Sequence, residues 1–194
     1  MKVIAINGSP RMEKGNTAMI LTPFIQGVMD AGAEVELFYA RRLKVKPCTC
    51  GEMQNFINRL CPLIEPFLEN HEGRTRAKFH KQVKIRKIVL VSTGGWWEKA
   101  NFETVVRITE ELAKDASVEF AGAVLRPHAF LMKEKGKLTK DGEAVLNAVK
   151  RAGYELIKEG GMNKETLERI SRPLISQEGT QAKIQQGEEM GSNV

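Results

Sequence analysis

The chain opens with KVIAINGSPRMEKGNT, residues 2–17, and this stretch decides the fold class. Its first part, Lys2–Ile6, is a short apolar run of the kind found in strands that are buried on both faces of a parallel sheet. A glycine-containing loop follows the run. From Asn16, apolar residues recur at helical spacing until Gly32, where a helix is expected to end, and Asn16 or Thr17 is the expected N-cap. The stretch therefore predicts a strand, a loop and a helix.

The remaining elements follow from the same apolar spacing. We predict three more strands, the second of them buried and the third the last in the chain, and four more helices. The strands are Glu34–Tyr39, Ile88–Ser92 and Val118–Leu125; the helices are Gly51–Cys61, one with Phe102 to Leu112 along one face, one containing Val145 to Leu156, and Lys164–Ile170 capped by Asn163. Strands that alternate with helices imply a parallel sheet with helices on both faces.

Length and composition favour one domain. The 194 residues are 42% hydrophobic and 28% charged, which fits a single domain over residues 1–175. Residues 176–194 are polar, and we expect a tail that is flexible or lies across a partner subunit.

No apolar run approaches the roughly 18 residues that a membrane span needs, and no export signal is recognisable. Three cysteines, Cys48, Cys50 and Cys61, then favour reduced thiols and a cytoplasmic protein without membrane contact.

The net charge of +6 raises the question of nucleic acid binding. Basic residues are densest between Arg74 and Lys87, but only one aromatic residue, Phe79, interrupts them. Proteins that bind single strands interleave several aromatic residues for base stacking, and no helix-turn-helix, zinc-finger or RNP-type motif is present. We therefore expect a solvated loop that leads into a strand and can attract an anionic cofactor, and we expect no nucleic acid partner.

The loop after the first strand has the composition of a phosphate site. Ligands of parallel α/β sheets bind where the strands end, and there the loop offers backbone N–H groups with the side chains of Ser9, Arg11, Asn16 and Thr17. The spacing excludes the G-x-G-x-x-G fingerprint, and Asn16 replaces the lysine of a Walker loop. The alternative is that the glycine and proline only make the turn while Ser9 and Thr17 cap the helix.

Several stretches together resemble the NADPH-dependent FMN reductase family, and within it the iron–sulfur flavoprotein branch. The matching stretches are Ile4 to Arg11, Gly15-Asn16-Thr17, Lys46-Pro47-Cys48, Met53 to Leu60, Ser92 to Glu98 with Asn101-Phe102, and Leu125 to His128. They cover most of residues 1–175. The resemblance implies a flavodoxin-like, three-layer α/β/α fold with a parallel sheet and FMN as cofactor. It also implies an oxidoreductase that passes electrons from NAD(P)H, or from a carrier protein, through the flavin to an acceptor.

Carried over residue by residue, the resemblance implies two groups of cofactor-binding residues. The phosphate of FMN would lie against Ser9, Arg11, Asn16 and Thr17, and the isoalloxazine ring near Thr93, Gly94, Gly95 and Trp96. No protein residue is expected to be catalytic, because hydride chemistry belongs to the flavin. For Trp96 and for Trp97, packing in the core or at an interface is an equally good interpretation.

The chain departs from the family in its cysteines. The iron–sulfur branch carries four clustered cysteines after the second strand, and a cluster normally needs four thiolates. Only Cys48 and Cys50 stand there in this chain, so neither an iron–sulfur cluster nor another metal site is expected. Cys61 lies in a different element, where we expect a buried thiol.

A second departure concerns the sheet itself. Between Cys50 and Gly51 the family has a segment with a central strand; either this protein has lost the segment, or the sequence is missing it. The first strand and Ile88–Ser92 would then pair directly or borrow a strand from another chain, and we expect a homodimer or a higher oligomer. Two functions stay open: an FMN-dependent oxidoreductase, or a non-catalytic flavodoxin-like remnant that serves as an anion-binding or oligomerisation module.

Overall fold

The computed structural model describes residues 1–42, 57, 60–71 and 73–185. Almost all of the predicted helix Gly51–Cys61 lies outside these residues, as do Cys48 and Cys50. The strands are β1 (Lys2–Asn7), β2 (Glu34–Tyr39), β3 (Glu69–His71), β4 (Arg74–Arg76), β5 (Lys87–Thr93), β6 (Glu119–Arg126), β7 (Lys133–Glu134) and β8 (Lys137–Leu138). The helices are α1 (Asn16–Asp30), α2 (Glu103–Asp115), α3 (Lys140–Lys158), α4 (Lys164–Ser171) and α5 (Gln177–Gln185).

Most predicted elements are confirmed, but one cap is wrong. The four strands that the sequence predicts correspond to β1, β2, β5 and β6 within one or two residues. At the start of α4, Asn163 accepts a hydrogen bond from the backbone N–H of Glu165 at 2.9 Å, as predicted. The N-cap of α1 is Gly15, and neither Asn16 nor Thr17 caps the helix. These two side chains are therefore available for other contacts.

The parallel sheet consists of two separate pairs of strands. β1 pairs with β2, and β5 pairs with β6, both in parallel register. Within the described residues no hydrogen bonds join β1 to β5, so the expectation of direct pairing between them is wrong. Helix α1 packs against β1, β2 and β5 and thus lies over both pairs.

The core lies between this sheet and the helices α1 and α3. The two helices approach closely because each has a glycine at the crossing. A Cβ on Gly27 would lie 1.7 Å from the carbonyl oxygen of Lys150, and one on Gly153 would lie 2.1 Å from that of Phe24. The buried side chains around the crossing are mainly aliphatic and include Ile20, Val28, Val124, Val145, Val149 and Ile170. Most members of this buried cluster lie on α1 and α3.

Neither inner strand is buried as the sequence predicts. In β1 only Asn7 is buried, and Ile4 is 56% exposed. In β5, the apolar residues from Ile88 to Val91 are only half-buried. Among the described residues each of these strands is bonded to a neighbour on one side alone, and the strands keep apolar side chains partly exposed.

The basic stretch before β5 is more structured than predicted. Instead of a simple loop it contains the antiparallel hairpin β3–β4. Arg76 is 8% exposed and forms ion pairs with Glu111, at 2.9 Å, and with Asp115 on α2. Arg74 forms an ion pair with Glu111 at 3.1 Å. Part of this positive charge therefore holds the hairpin against α2.

The end of the described chain departs from the predictions in two places. β6 is not the last strand, because the small antiparallel hairpin β7–β8 follows it. Helix α5 occupies Gln177–Gln185, where the sequence predicted no regular element, and within it Thr180 is buried. No helix of the described residues is long and apolar enough to cross a membrane. Cys61 is exposed, so the expected buried thiol is wrong.

A buried carboxylate joins α3 to α4. Glu155 is 1% exposed, and its oxygens accept hydrogen bonds from the backbone N–H of Asn163 at 2.9 Å, Thr166 Oγ1 at 2.8 Å and Arg151 Nε at 2.7 Å. Burial acts to raise the pKa of Glu155, but these hydrogen bonds outweigh it, and the pKa lies below its usual value. The ionised form is therefore the one that the fold stabilises.

Candidate functional site

The loop after β1 is organised by the last residue of the strand. Asn7 is 1% exposed; its Oδ1 accepts a hydrogen bond from the N–H of Ser9 at 2.9 Å, and its Nδ2 donates to the carbonyl of Met12 at 3.4 Å. Ser9 Oγ accepts from the N–H of Arg11 at 3.3 Å. A buried amide therefore holds the loop in a tight turn, a role that sequence reasoning missed although Asn7 directly ends the apolar run.

Gly15 closes the loop and starts α1. A Cβ at this position would lie 2.7 Å from Ser9 Oγ and 3.2 Å from the Cβ of Arg11, so a larger residue would displace the side chain of Ser9. No side chain of the described residues caps α1, and the first turn of this helix carries no acidic residue. The positive end of the helix dipole and the first N–H groups are therefore available to an anion.

The loop after β1 carries a guanidinium, that of Arg11, without a partner among the described residues. Arg11 is exposed, and its guanidinium makes no hydrogen bond or ion pair with another described residue. Glu13, the loop's acidic residue, forms an ion pair with Arg42 at 2.6 Å. Asn16 is exposed beside them at the start of α1. The charge of Glu13 is thus largely offset, and Arg11 leaves the loop attractive to anions.

The turn after β5 is fixed on one side and open on the other. The N–H of Gly94 donates to the carbonyl of Arg126 at 3.0 Å, and the carbonyl of Gly94 accepts from the N–H of Ala129 at 3.3 Å. A Cβ on Gly94 would lie 2.8 Å from the ring of Phe102, whereas a Cβ on Gly95 would meet no atom within 4 Å. Gly94 therefore belongs to the packed side of the turn, and Gly95 faces open space.

The two tryptophans of this turn differ. Trp96 is 64% exposed, and its carbonyl accepts a hydrogen bond from the N–H of His128 at 3.1 Å. Trp97 is half-buried, and its indole N–H donates to the carbonyl of Ile175 at 3.1 Å. Packing in the core is thus excluded for Trp96, whereas Trp97 holds the chain after α4.

The two loops meet at the carboxyl ends of β1 and β5. Thr17 Oγ1, in the first turn of α1, lies 3.4 Å from Thr93 Oγ1, at the end of β5. The residues predicted to bind the phosphate and the residues predicted to lie near the flavin ring are therefore at the same edge of the sheet. This is the edge at which parallel α/β sheets bind ligands.

No family model and no curated protein matches the chain by sequence. Among solved structures, the chain is similar to the NAD(P)H:quinone oxidoreductase from Methanothermobacter marburgensis. The TM-score is 0.54 at 13% sequence identity, and the match covers 80% of this chain and 98% of that chain.

The fold is flavodoxin-like. The similarity, together with the alternation of parallel strands and helices, confirms the predicted fold class, with a fragmentary sheet. At this level of identity the similarity concerns the fold alone. The residues at the strand ends must therefore support any function by their own chemistry.

Two buried polar residues, Arg126 and His128, form backbone hydrogen bonds with the turn after β5. Arg126 and His128 are both 0% exposed at the end of β6. Arg126 Nη1 donates to the carbonyls of Ile170, at 2.6 Å, and Arg172, at 2.9 Å. Among the described residues, Arg126 Nε and Nη2 and both ring nitrogens of His128 have no hydrogen-bond partner. Sequence reasoning gave these residues no role, although their place after a strand was a usable signal.

Burial shifts the pKa of both groups. The pKa of Arg126 falls to about 10, first through burial and then through the nearby charge of Arg172. The pKa of His128 falls to about 4, first through burial and then through Arg126, against an opposing effect of Glu98. His128 is therefore neutral at pH 7. Within the described residues, no group of His, Cys, Asp and Glu side chains is arranged to hold a metal ion.

Proposed function

We propose that this protein binds FMN and acts as a flavoprotein oxidoreductase. The observation that carries the proposal is the 3.4 Å contact between Thr17 Oγ1 and Thr93 Oγ1, because it brings the phosphate loop and the glycine turn to one place. A ligand with an anionic end and a planar ring end matches the two loops. FMN has both.

The phosphate end fits the first loop. Three features that favour a phosphate dianion coincide there: a helix start and an Arg11 guanidinium that no described side chain bonds, and the hydroxyls of Ser9 and Thr17. Ser9 Oγ already accepts from the N–H of Arg11, so its proton is free to be donated to a phosphate oxygen. Asn16 contributes an exposed amide at the helix start.

The isoalloxazine end of FMN matches the turn after β5, which offers it one wall. Gly95 offers an open backbone surface, and Trp96 exposes an aromatic side chain next to it. When bound, the flavin supplies the hydride and electron chemistry. The residues of the chain bind and orient it: Gly94 is held by the end of β6, and Thr93 is placed against the phosphate loop.

The proposal also includes an electron donor, a compartment and an oligomeric state. The similar structure is an NAD(P)H:quinone oxidoreductase, and its name supports NAD(P)H, or a redox carrier protein, as donor. We propose a cytoplasmic protein that works as a homodimer or a higher oligomer. We propose no iron–sulfur cluster, because that role requires four thiolates and the sequence has three cysteines.

Absorption spectroscopy tests the proposal directly. Purified protein is mixed with excess FMN and desalted, and the visible spectrum is recorded before and after anaerobic addition of NADPH or NADH. We expect flavin bands that stay with the protein and are bleached by one of the two donors. Arg11→Ala should lower the amount of retained flavin, whereas the matched change Arg107→Ala, at an exposed position of α2, should leave it unchanged.

The separate strand pairs favour a second candidate function. Among the described residues, β1 and β5 each have a paired strand on one side only. An unpaired strand edge is a feature of a non-catalytic interaction or oligomerisation module. For this function the desalted protein carries no flavin bands, and NADPH changes nothing in its spectrum. The same measurement thus separates the two candidates.

A further inference from the structure

Two adjacent tryptophans in the turn after β5 have different surroundings. The indole ring of Trp97 is half-buried, and its N–H donates a hydrogen bond to the carbonyl of Ile175 at 3.1 Å. The indole ring of Trp96 is 64% exposed. A tryptophan that is partly buried usually pairs its N–H, and this bond distinguishes Trp97 from its neighbour. The turn therefore carries one anchored and one exposed tryptophan side by side.

The carbonyl of Ile175 belongs to a segment that is itself held in place. Arg126 Nη1 donates to the carbonyl of Ile170, at 2.6 Å, and to that of Arg172, at 2.9 Å. Between these bonds and Ile175, the partly buried side chain of Leu174 packs against the hydrophobic core. The segment after α4 is therefore an anchor, and the bond from Trp97 fixes the turn to it.

The turn is also fixed where it leaves β5. The N–H of Gly94 donates to the carbonyl of Arg126 at 3.0 Å, and the carbonyl of Trp96 accepts from the N–H of His128 at 3.1 Å. Gly95 lies between these two bonds and has open space on the side where a Cβ would stand. The exposed part of the turn thus lies between supports at both of its ends.

Arg126 joins the two supports. Its backbone carbonyl holds Gly94, and its side chain holds the carbonyl of Arg172, three residues before Ile175. The bond from Trp97 to Ile175 returns to the turn and closes a circuit of contacts. A surface that is fixed before a ligand arrives loses less freedom on binding, and supports outside a site raise affinity in this way.

We infer that Trp97 is a positioning residue for the flavin ring. Its bond to Ile175 holds Gly95 and Trp96 in the conformation that receives the ring. This inference rests on the proposed function and extends it to the chain after α4. None of the contacts in the circuit involves Ser9, Arg11, Asn16 or Thr17, so the bond acts on the ring end of FMN and not on the phosphate end.

Trp97→Phe tests the inference, because it keeps an aromatic ring and removes the N–H. The assay is a fluorescence titration of riboflavin and, separately, of FMN. Both affinities should fall by the same factor, about fivefold, which is the effect of one neutral hydrogen bond on an equilibrium. The matched control is Tyr154→Phe, which also removes one polar hydrogen from an aromatic side chain, at an exposed position of α3. The control should leave both affinities unchanged.

Hydrogen exchange of the free protein tests the bond without any flavin. In Trp97→Phe the amide of His128, which is bonded to the carbonyl of Trp96, should exchange about fivefold faster than in the wild type. The amide of Gly94, which Arg126 holds at the other end of the turn, should be unchanged. Equal acceleration at both amides would indicate a general loss of stability and would count against a positioning role.

A measurement on the wild type decides the question if Trp97→Phe fails to fold. Coupling between two equilibria is reciprocal, so a bond that favours ring binding must itself be favoured by the ring. Saturation with riboflavin should therefore slow the exchange of the Trp97 indole N–H by about the same factor of five. An indole exchange rate that riboflavin does not change would contradict the inference.

The outcomes separate this inference from the proposed function. If the wild type binds both flavins and Trp97→Phe binds them equally well, Trp97 has no positioning role, whereas the proposed function stands. The same conclusion follows if Trp97→Phe unfolds at a lower urea concentration while its affinity for riboflavin is intact, because the bond then only stabilises the turn. If the wild type binds neither flavin, the proposed function is refuted, and the inference fails with it.

Discussion

Arg11→Ala should weaken FMN binding without weakening the fold. The guanidinium of Arg11 is exposed and makes no hydrogen bond or ion pair with another described residue, so its removal breaks no polar contact among these residues. A charge-assisted hydrogen bond to a phosphate is worth about 1.5–3 kcal/mol, which corresponds to a loss of affinity of roughly tenfold to a hundredfold. Thr17→Val removes a neutral contact worth about 1 kcal/mol, or a loss of about fivefold.

The assay is a fluorescence titration of FMN and, separately, of riboflavin, which has the ring but no phosphate. Both variants should lose affinity for FMN, and Arg11→Ala should leave the affinity for riboflavin unchanged. The free energy of unfolding, measured in urea, should be unchanged for Arg11→Ala. Thr17→Ser keeps the hydroxyl and serves as the matched control for Thr17→Val.

The competing explanation is that this loop only starts the helix. It predicts that a variant carrying both Arg11→Ala and Thr17→Val loses stability while its affinity for FMN is intact. Such a result, or an equal loss of affinity for FMN and riboflavin in Arg11→Ala, would refute the assignment of the phosphate to this loop.

Four further expectations follow from the site and its supports. FMN should bind far more tightly than riboflavin, because the phosphate loop is complete and the ring side has one described wall; near-equal affinities in the same titration would contradict this. Gly95→Ala should weaken binding of both flavins with stability unchanged, whereas Gly94→Ala should lower the melting temperature, since its Cβ would lie 2.8 Å from the ring of Phe102. His128 has a pKa of about 4 in the folded protein, against 6.5 normally. The unfolded chain therefore takes up the proton first on acidification, and the free energy of unfolding should fall by up to about 3 kcal/mol between these pH values. His128→Gln should remove this part of the pH dependence, and identical slopes in urea titrations at several pH values would argue against it. Glu155→Gln should lower the free energy of unfolding at pH 7 by roughly 1–3 kcal/mol, because one carbonyl oxygen replaces two acceptor oxygens; a loss below about 0.5 kcal/mol would contradict this.

The sequence alone determined the elements whose signals are local. Apolar spacing placed β1, β2, β5 and β6, and the polar cap Asn163 placed the start of α4, because strand and helix periodicity and capping act over a few residues. Local patterns also located the two loops of the candidate site, since a strand followed by glycine and a helix is itself a local signal. The fold class followed from the order of these elements.

The way these parts meet is set by contacts between segments that are far apart in the sequence. The contact between Thr17 and Thr93 joins residues far apart in the chain, and the buried guanidinium of Arg126 bonds carbonyls in α4 and just after it. The same limit explains the wrong expectation for β1 and β5. Their apolar runs predict burial on both faces, but burial requires neighbours on both sides, and whether another segment stands beside a strand is not written in that strand's own residues.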